Sequence, residues 1–343
     1  MSAPASAQDP AAGTAPGGRV IDTGQVMIDL ALRVPTVPEA GGDVFAEDAG
    51  THVGGGFNLM AAAARQGARV EYAGSLGEGP FSDLAREALA REGIAHVGPT
   101  VPGDLGYCVA LTDADAERTF VSTRGAETRD PLDAFDRLEL GPRDVVCVSG
   151  YSLAHDANTA ALARLAERVG STEPTERPMV LLDVAPVVDA LPLDRLRTVA
   201  ACGPVWTVNE REAAILADRL GIDVEGTSQG AGPAALCAAL ASRLGAVVLR
   251  AGRMGCWWSE RGRPARHVPT IPLEAVDSNG AGDAHTGTLA ALLAQGVPLE
   301  DALDRANAAG ALAVTRVGPA TCPTAEEIDA ALAAGGSRAC RDR

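Results

Sequence analysis

The sequence has no lysine; its 29 basic side chains are all arginine. A Walker A loop needs a lysine on its phosphates, a protein kinase needs its strand lysine, and a pyridoxal enzyme needs one for the Schiff base. Those classes are excluded, and any ATP chemistry requires another arrangement. Aromatic residues are scarce, at 3%. The core must then be mainly Ala, Val and Leu, and a stacking surface for single-stranded nucleic acid is not expected. The seven cysteines (Cys108, Cys147, Cys202, Cys237, Cys256, Cys322 and Cys340) form no C-x-x-C, and the five histidines do not cluster with them. A zinc site or disulfide framework does not fit; a reducing cytoplasm does. No apolar run reaches the length that spans a bilayer.

The formal net charge is −16. A field of that sign repels nucleic-acid backbones and anionic lipid, so neither is expected as a partner. An anionic substrate needs a local site that overrides it. The 343 residues, 46% hydrophobic and 22% charged, suit one large α/β domain with an appendage, or two domains. Residues 1–18, rich in Ala, Pro and Gly, read as a disordered tail and not as a signal peptide. Residues 336–343 read as a C-terminal tail.

From about residue 143, strand-like runs alternate with helical patterns. "DVVCVSG", "PMVLLDV", "VWTV" and "AVVLRAG" read as buried strands. "TAALARLAERVG" and "EREAAILADRLG" read as helices stopped by glycine. This alternation predicts a parallel sheet covered on both faces, with ligands outside the carboxyl ends of its strands. "STEPTER" and "GIDVEGTSQGAGP" read as exposed loops. Two segments break the rhythm, about 32–53 and 106–123. They read as a small β appendage beside the main sheet, or else as surface decoration.

The chemistry concentrates in "DSNGAGD", residues 277–283. A Gly–Ala–Gly turn opening a helix leaves backbone N–H groups uncovered, and the helix N-terminus adds roughly half a positive charge. Gly280, Ala281 and Gly282 can thus form an anion hole that needs no lysine. Asp283 is either a plain helix cap or, beside a transferring phosphoryl group, a general base for an attacking alcohol.

"DSNGAGD" resembles the carboxy-terminal signature D-T-x-G-A-G-D of the ribokinase family of carbohydrate and nucleoside kinases, also called the PfkB family. The likeness runs over about residues 19–334. It implies a three-layer α/β/α kinase domain over 19–335, with a mostly parallel sheet and a β lid from the two irregular segments. It implies ATP and Mg²⁺, with Asp283 as base and Gly280, Ala281 and Gly282 as anion hole. "VNEREA" resembles the N-x-x-E motif, so Asn209 would meet phosphate and Glu212 Mg²⁺-bound water; on its own it reads as a helix cap. "RAGRMG" resembles the G-x-x-G turn near the nucleotide, giving Arg250, Gly252, Arg253 and Gly255; Asn307 would border adenine. In members that hold a monovalent cation such as K⁺, the ligands would be Asp277 and the carbonyls of Asn279, Ala313, Arg316 and Gly318.

On the acceptor side, "GQVMID" resembles the first-strand motif and places Asp29 on sugar hydroxyls. "VGGGFN" resembles GG-x-x-x-N and adds Gly54, Gly55 and Asn58. This sequence departs from ribokinases at Met27, where many relatives carry Asn, at Gly55, where they carry Lys, and at Tyr151, where they carry a carboxylate. With Phe57, these make the acceptor pocket more apolar than a ribose pocket. The resemblance implies transfer of the γ-phosphate of ATP to a hydroxyl or hydroxymethyl group of a small sugar or sugar-like acceptor. Alternatives are a nucleoside kinase, or a non-catalytic sugar or nucleotide sensor on the same scaffold. A homodimer through the lid follows by analogy. His285 either packs against the sheet or neighbours Asp283 as a pH-sensitive group.

Overall fold

The computed structural model describes residues 17–115, 117–222, 232–318 and 320–339. β1 (Arg19–Asp22) opens the main sheet. The chain leaves it for β2 (Val26–Arg33) and β3 (Asp48–Gly55), then returns through α1 (Gly56–Arg65) to β4 (Arg69–Tyr72). α2 (Pro80–Arg91) and β5 (Ala95–His96) complete that flank. A second excursion adds β6 (Tyr107–Thr112) and β7 (Arg118–Ser122). β8 (Val145–Ser149), α3 (Gly150–Leu153), α4 (Asp156–Ser171), β9 (Met179–Asp183), α5 (Leu193–Ala200), β10 (Val205–Asn209), α6 (Glu210–Arg219), α7 (Pro233–Leu244) and β11 (Ala246–Arg250) follow in regular alternation. β12 (Cys256–Glu260), β13 (Arg266–Val268), α8 (Ala281–Ala294), α9 (Leu299–Ala313) and α10 (Ala325–Ala339) close the chain.

The main sheet has nine strands in the order β13-β12-β11-β10-β9-β8-β1-β4-β5. From β11 to β5 every pairing is parallel, while β12 and β13 run antiparallel on one edge. Alternate residues of each strand feed two cores. Val20, Val145, Cys147, Leu181 and Val248 pack with α1, α2, α8 and α9. Ile21, Val146, Val148, Val180, Leu182, Trp206 and Leu249 pack with α4, α6 and α7. Burial on both faces is why these strands read as continuous apolar runs. The order turns at β1, whose neighbours are β4 on one side and β8 on the other. That switch point is where a parallel sheet opens a crevice at its carboxyl ends.

The second sheet has four strands, β3-β2-β6-β7. It starts earlier than expected, at Val26 and not at 32. The Pro- and Gly-rich signal belongs to the connection 34–47, and the strands flank it. "VMIDLALR" alternates as a half-buried strand should: Ile28 is fully buried and Leu30 packs against the core. Two other expectations shift. "DSNGAGD" follows a non-strand segment after β13 rather than a strand. The C-terminal tail expected from 336 is helical to Ala339, because two glycines, each about 1 kcal/mol poorer than Ala, do not outweigh the surrounding helix formers. The tail expected over 1–18 lies outside the described residues up to 16, as does the loop 223–231. No helix among the described residues is long and apolar enough to cross a membrane.

α8 is buried nearly all round, because it lies between α1 and α9 and backs the sheet. Its small residues permit that approach. A Cβ on Gly287 would stand 2.1 Å from the Leu59 carbonyl oxygen. Gly287→Ala, which would favour an unobstructed helix by about 1 kcal/mol, is therefore expected to destabilise the protein by about 1–3 kcal/mol. Denaturant unfolding reads the sign directly, and a stabilised variant would refute the packing.

Candidate active site

Several strands of the main sheet end in a polar residue at the same edge. β1 ends at Asp22, β8 at Ser149, β9 at Asp183, β10 at Asn209 and β11 at Arg250. Arg250 is the hub. Its Nη1 donates to Asp183 Oδ2 at 2.8 Å, to Thr286 Oγ1 at 2.9 Å and to the Gly282 carbonyl at 3.4 Å; Nη2 donates to Glu212 Oε2 at 3.5 Å. Its side chain is only 12% exposed. Burial opposes the charge, yet Asp183 and Glu212 hold the guanidinium above its ordinary pKa. Arg250 thus sits beneath the turn, its donors directed to protein groups. Asn209 and Glu212 form the helix cap that the residues alone suggested. Asn209 Oδ1 accepts from the Glu212 N–H and Glu212 Oε2 from the Asn209 N–H, both at 2.8 Å. Burial pushes the Glu212 carboxyl up, against the pull of Arg250.

Above this hub stands the glycine turn. Gly280 caps α8 at φ 72°, a left-handed conformation that a side chain would strain. Among the described residues, the N–H groups of Gly282 and Asp283 have no backbone partner, as expected of a first turn without a side-chain cap. Asp283 lies beside them, half-buried, and accepts from Asn58 Nδ2 at 3.3 Å. Burial, with the charge of Asp183, pushes its carboxyl up to about 7, against the Asn58 hydrogen bond and Arg250.

The residues expected on the acceptor side lie on β2, β3, α1 and α3. Asp29 on β2 faces His52 on β3 and Cys108 on β6, in one cross-strand row. Burial raises the Asp29 carboxyl to about 6, while His52 draws it down. Gly54 is small because Asp29 occupies its space: a Cβ there would lie 2.1 Å from Asp29 Oδ2. Gly55 caps α1 at φ 65°. Met27 is half-buried on the Asp29 face. Tyr151, at the start of α3, is 46% exposed. Burial and the charges of Asp283 and Asp183 raise its phenol. Phe57 instead packs in the core, so of the residues expected to make this side apolar Met27 and Tyr151 remain.

The profile of the pfkB family carbohydrate kinases matches residues 19–326. The chain belongs to that family. It is 30% identical over 310 residues to the uncharacterized sugar kinase YegV of Escherichia coli (strain K12), covering 90% of this chain and 92% of that one. It is 29% identical over 328 residues to the ATP-dependent ribose-1-phosphate kinase of Halopiger xanaduensis, covering 92% and 98%. The structure of Arabidopsis thaliana ribokinase complexed with ribose and ATP matches with a TM-score of 0.73 at 21% identity, over 92% of this chain and 99% of that chain. The fold is ribokinase-like, and the protein is a sugar or nucleoside kinase, a phosphotransferase with an alcohol acceptor.

Within this PfkB chain the remaining expected residues divide. Gly252, Arg253 and Gly255 form the tight connection between β11 and β12, with Arg253 exposed. Asn307 is buried. Its Nδ2 donates to the carbonyls of Val268 at 2.8 Å and Pro269 at 3.2 Å, so it ties α9 to β13. Burial, with the charge of Arg250, holds His285 neutral, with its pKa down to about 3, against the side chain of Asn307 beside it. Asp277 accepts from the Asn279 N–H at 2.9 Å, the Gly318 N–H at 3.1 Å and Arg118 Nη2 at 2.7 Å. Although burial works upward, these donors hold its carboxyl below the usual range. Ala313 and Arg316 lie at and just beyond the end of α9.

Three residues of this region escaped the sequence reading. Asp183 and Asp22 each end a buried strand at a carboxyl edge, a legible signal. Arg118 carries no local signal. Asp22 is 2% exposed, and its Oδ2 has no partner among the described residues. Glycine makes its room: a Cβ on Gly56 would lie 2.5 Å from that oxygen. Burial, followed by the charge of Asp283, raises the Asp22 carboxyl to about 8 against the Gly24 N–H.

In the unfolded chain Asp22 would lose its proton near pH 4; the folded chain keeps it to about 8. Between those values the native state holds the extra proton, so this group costs stability as pH rises. The stability gained by Asp22→Asn is expected to grow from pH 4 to pH 8. Paired thermal melts of wild type and variant isolate it, and parallel pH slopes would refute the assignment.

Proposed function

We propose that this kinase transfers the γ-phosphate of ATP to a hydroxyl or hydroxymethyl group of a small sugar or sugar-like acceptor, with Asp283 as general base. One observation carries this reading: a carboxyl pushed up to about 7 stands at the uncovered N–H groups of a helix start. A base with a pKa near the working pH is well matched to taking a proton from an alcohol. Asn58 orients Asp283 through its amide, and Asp29 on β2 would hold the acceptor hydroxyls. The acceptor proton passes to the Asp283 carboxylate as the alcohol oxygen bonds to the γ-phosphorus, while the bond from that phosphorus to the bridging oxygen breaks and ADP leaves with the electron pair. The N–H groups of Gly282 and Asp283, with the helix dipole, meet the charge developing on the phosphoryl oxygens. Arg250 holds that turn from below through the Gly282 carbonyl.

Asp183, Glu212 and Asp283 surround the single guanidinium of Arg250, so negative charge is left over where a nucleotide would bring its metal. The two carboxylates bonded to Arg250, Asp183 and Glu212, fit Mg²⁺, which binds through one or two carboxylates and keeps several waters. Glu212 would reach it through water and Asp183 would face it. When bound, Mg²⁺ neutralises nucleotide phosphate charge. The ATP named for the Halopiger xanaduensis kinase and for the Arabidopsis thaliana complex supports the donor. Met27 and Tyr151 favour an acceptor with an apolar portion, which keeps a nucleoside beside a substituted sugar as the second reading.

An ADP-release screen across sugars, sugar phosphates and nucleosides identifies the acceptor. With it, Asp283→Asn is expected to lose about 10²–10⁴-fold in turnover while MgATP affinity stays near wild type. Because the base works deprotonated, kcat/KM should rise with pH through about 7 and level above it. Retained phosphorylation by Asp283→Asn would exclude Asp283 as the base.

A further inference from the structure

We propose that Arg118, on the edge of the small sheet, supplies at Asp277 the positive charge that the resemblance assigns to a monovalent cation, and thereby latches the small sheet to the catalytic turn. Arg118 opens β7, an edge strand whose five residues are all exposed. Its guanidinium reaches 2.7 Å from Asp277 Oδ1, across 159 residues of sequence. The Asp277 side chain is 5% exposed and that of Arg118 35%. Among the described residues, no other β7 side chain makes a hydrogen bond or ion pair with the main body.

Two of the five groups expected to cage a cation, Asp277 and the Ala313 carbonyl, are otherwise engaged. Both Asp277 oxygens already accept: Oδ1 from Arg118 and the Asn279 N–H, Oδ2 from the Gly318 N–H. The Ala313 carbonyl accepts from the Arg316 N–H and from Thr321 Oγ1, each at 3.2 Å. A guanidinium is a permanent cation with directed donors. A second cation on the same carboxylate would meet its repulsion. Asp277, the charged member of that set, therefore fits an arginine in place of a resident potassium ion.

Asp277 stands six residues before Asp283, and its bond to the Asn279 N–H shapes the turn that leads into α8. Neutralising Asp277 thus stabilises the loop that positions the anion hole. Because the neutralising group comes from the small sheet, the turn is complete only when that sheet lies against the body. Arg118 is in this sense a positioning residue, coupling closure over the acceptor to the geometry of the phosphoryl site.

This inference rests on the phosphotransferase reading, and the test separates the two. Wild type and Arg118→Ala are compared in choline, sodium and potassium chloride at equal ionic strength. MgATP affinity is measured by calorimetry and turnover by ADP release. Wild type is expected to show the same affinity and turnover in all three salts. Arg118→Ala should lose about tenfold or more in choline, the size of one charge-assisted hydrogen bond, and recover with potassium. If Arg118→Ala does not fold, Arg118→Gln, uncharged and of similar length, carries the same expectation. Potassium activation of the wild type overturns the proposal, as does a variant that matches wild type or falls equally in every salt. Absence of MgATP binding in every salt refutes the phosphotransferase reading itself, and the latch with it.

Discussion

Arg250 stands among Asp183, Glu212 and Asp283 with most of its side chain out of water, and much of the site geometry depends on it. Removing one partner from such a buried cluster would leave a charge uncompensated, a costly state in a low dielectric. The guanidinium therefore fixes three elements at once: β9 through Asp183, α6 through Glu212, and the start of α8 through Thr286 and the Gly282 carbonyl. Its one charge does not cancel three carboxylates. Burial, with the charge of Asp183, keeps Asp283 protonated to higher pH than an isolated aspartate.

The lysine-free composition takes on meaning here. Backbone N–H groups at a helix start have no pKa and no side-chain entropy to lose, so they are ready for an anion before it arrives. Arginines do the fixed work around them, Arg250 beneath the turn and Arg118 beside it. The small sheet, with Asp29 on β2 and Arg118 on its edge strand, links the acceptor side to the phosphoryl side.

Much of the main sheet was legible. The runs "DVVCVSG", "PMVLLDV", "VWTV" and "AVVLRAG" are strands because both of their faces are buried, and such burial leaves a one-dimensional trace. The start of α8 was legible for a similar reason, since the glycines of "DSNGAGD" report a local backbone need. Asn209 and Glu212 showed the limit of a motif: three residues apart, they cap a helix whatever else they do. The small sheet was blurred, because the Pro- and Gly-rich connection hid the strand that begins at Val26.

The sequence by itself determined the layered α/β fold, the anion-ready turn and the acid at its start, because each depends on contacts between near neighbours or on regular periodicity. The tertiary structure alone decided which charges meet. The burial that lifts Asp22 and Asp283, the direction of Asn307 toward β13, and the reach of Arg118 to Asp277 are set by strands and helices far apart in the chain. Electrostatic energy depends on distance and burial in three dimensions, and neither quantity is written in the order of the residues.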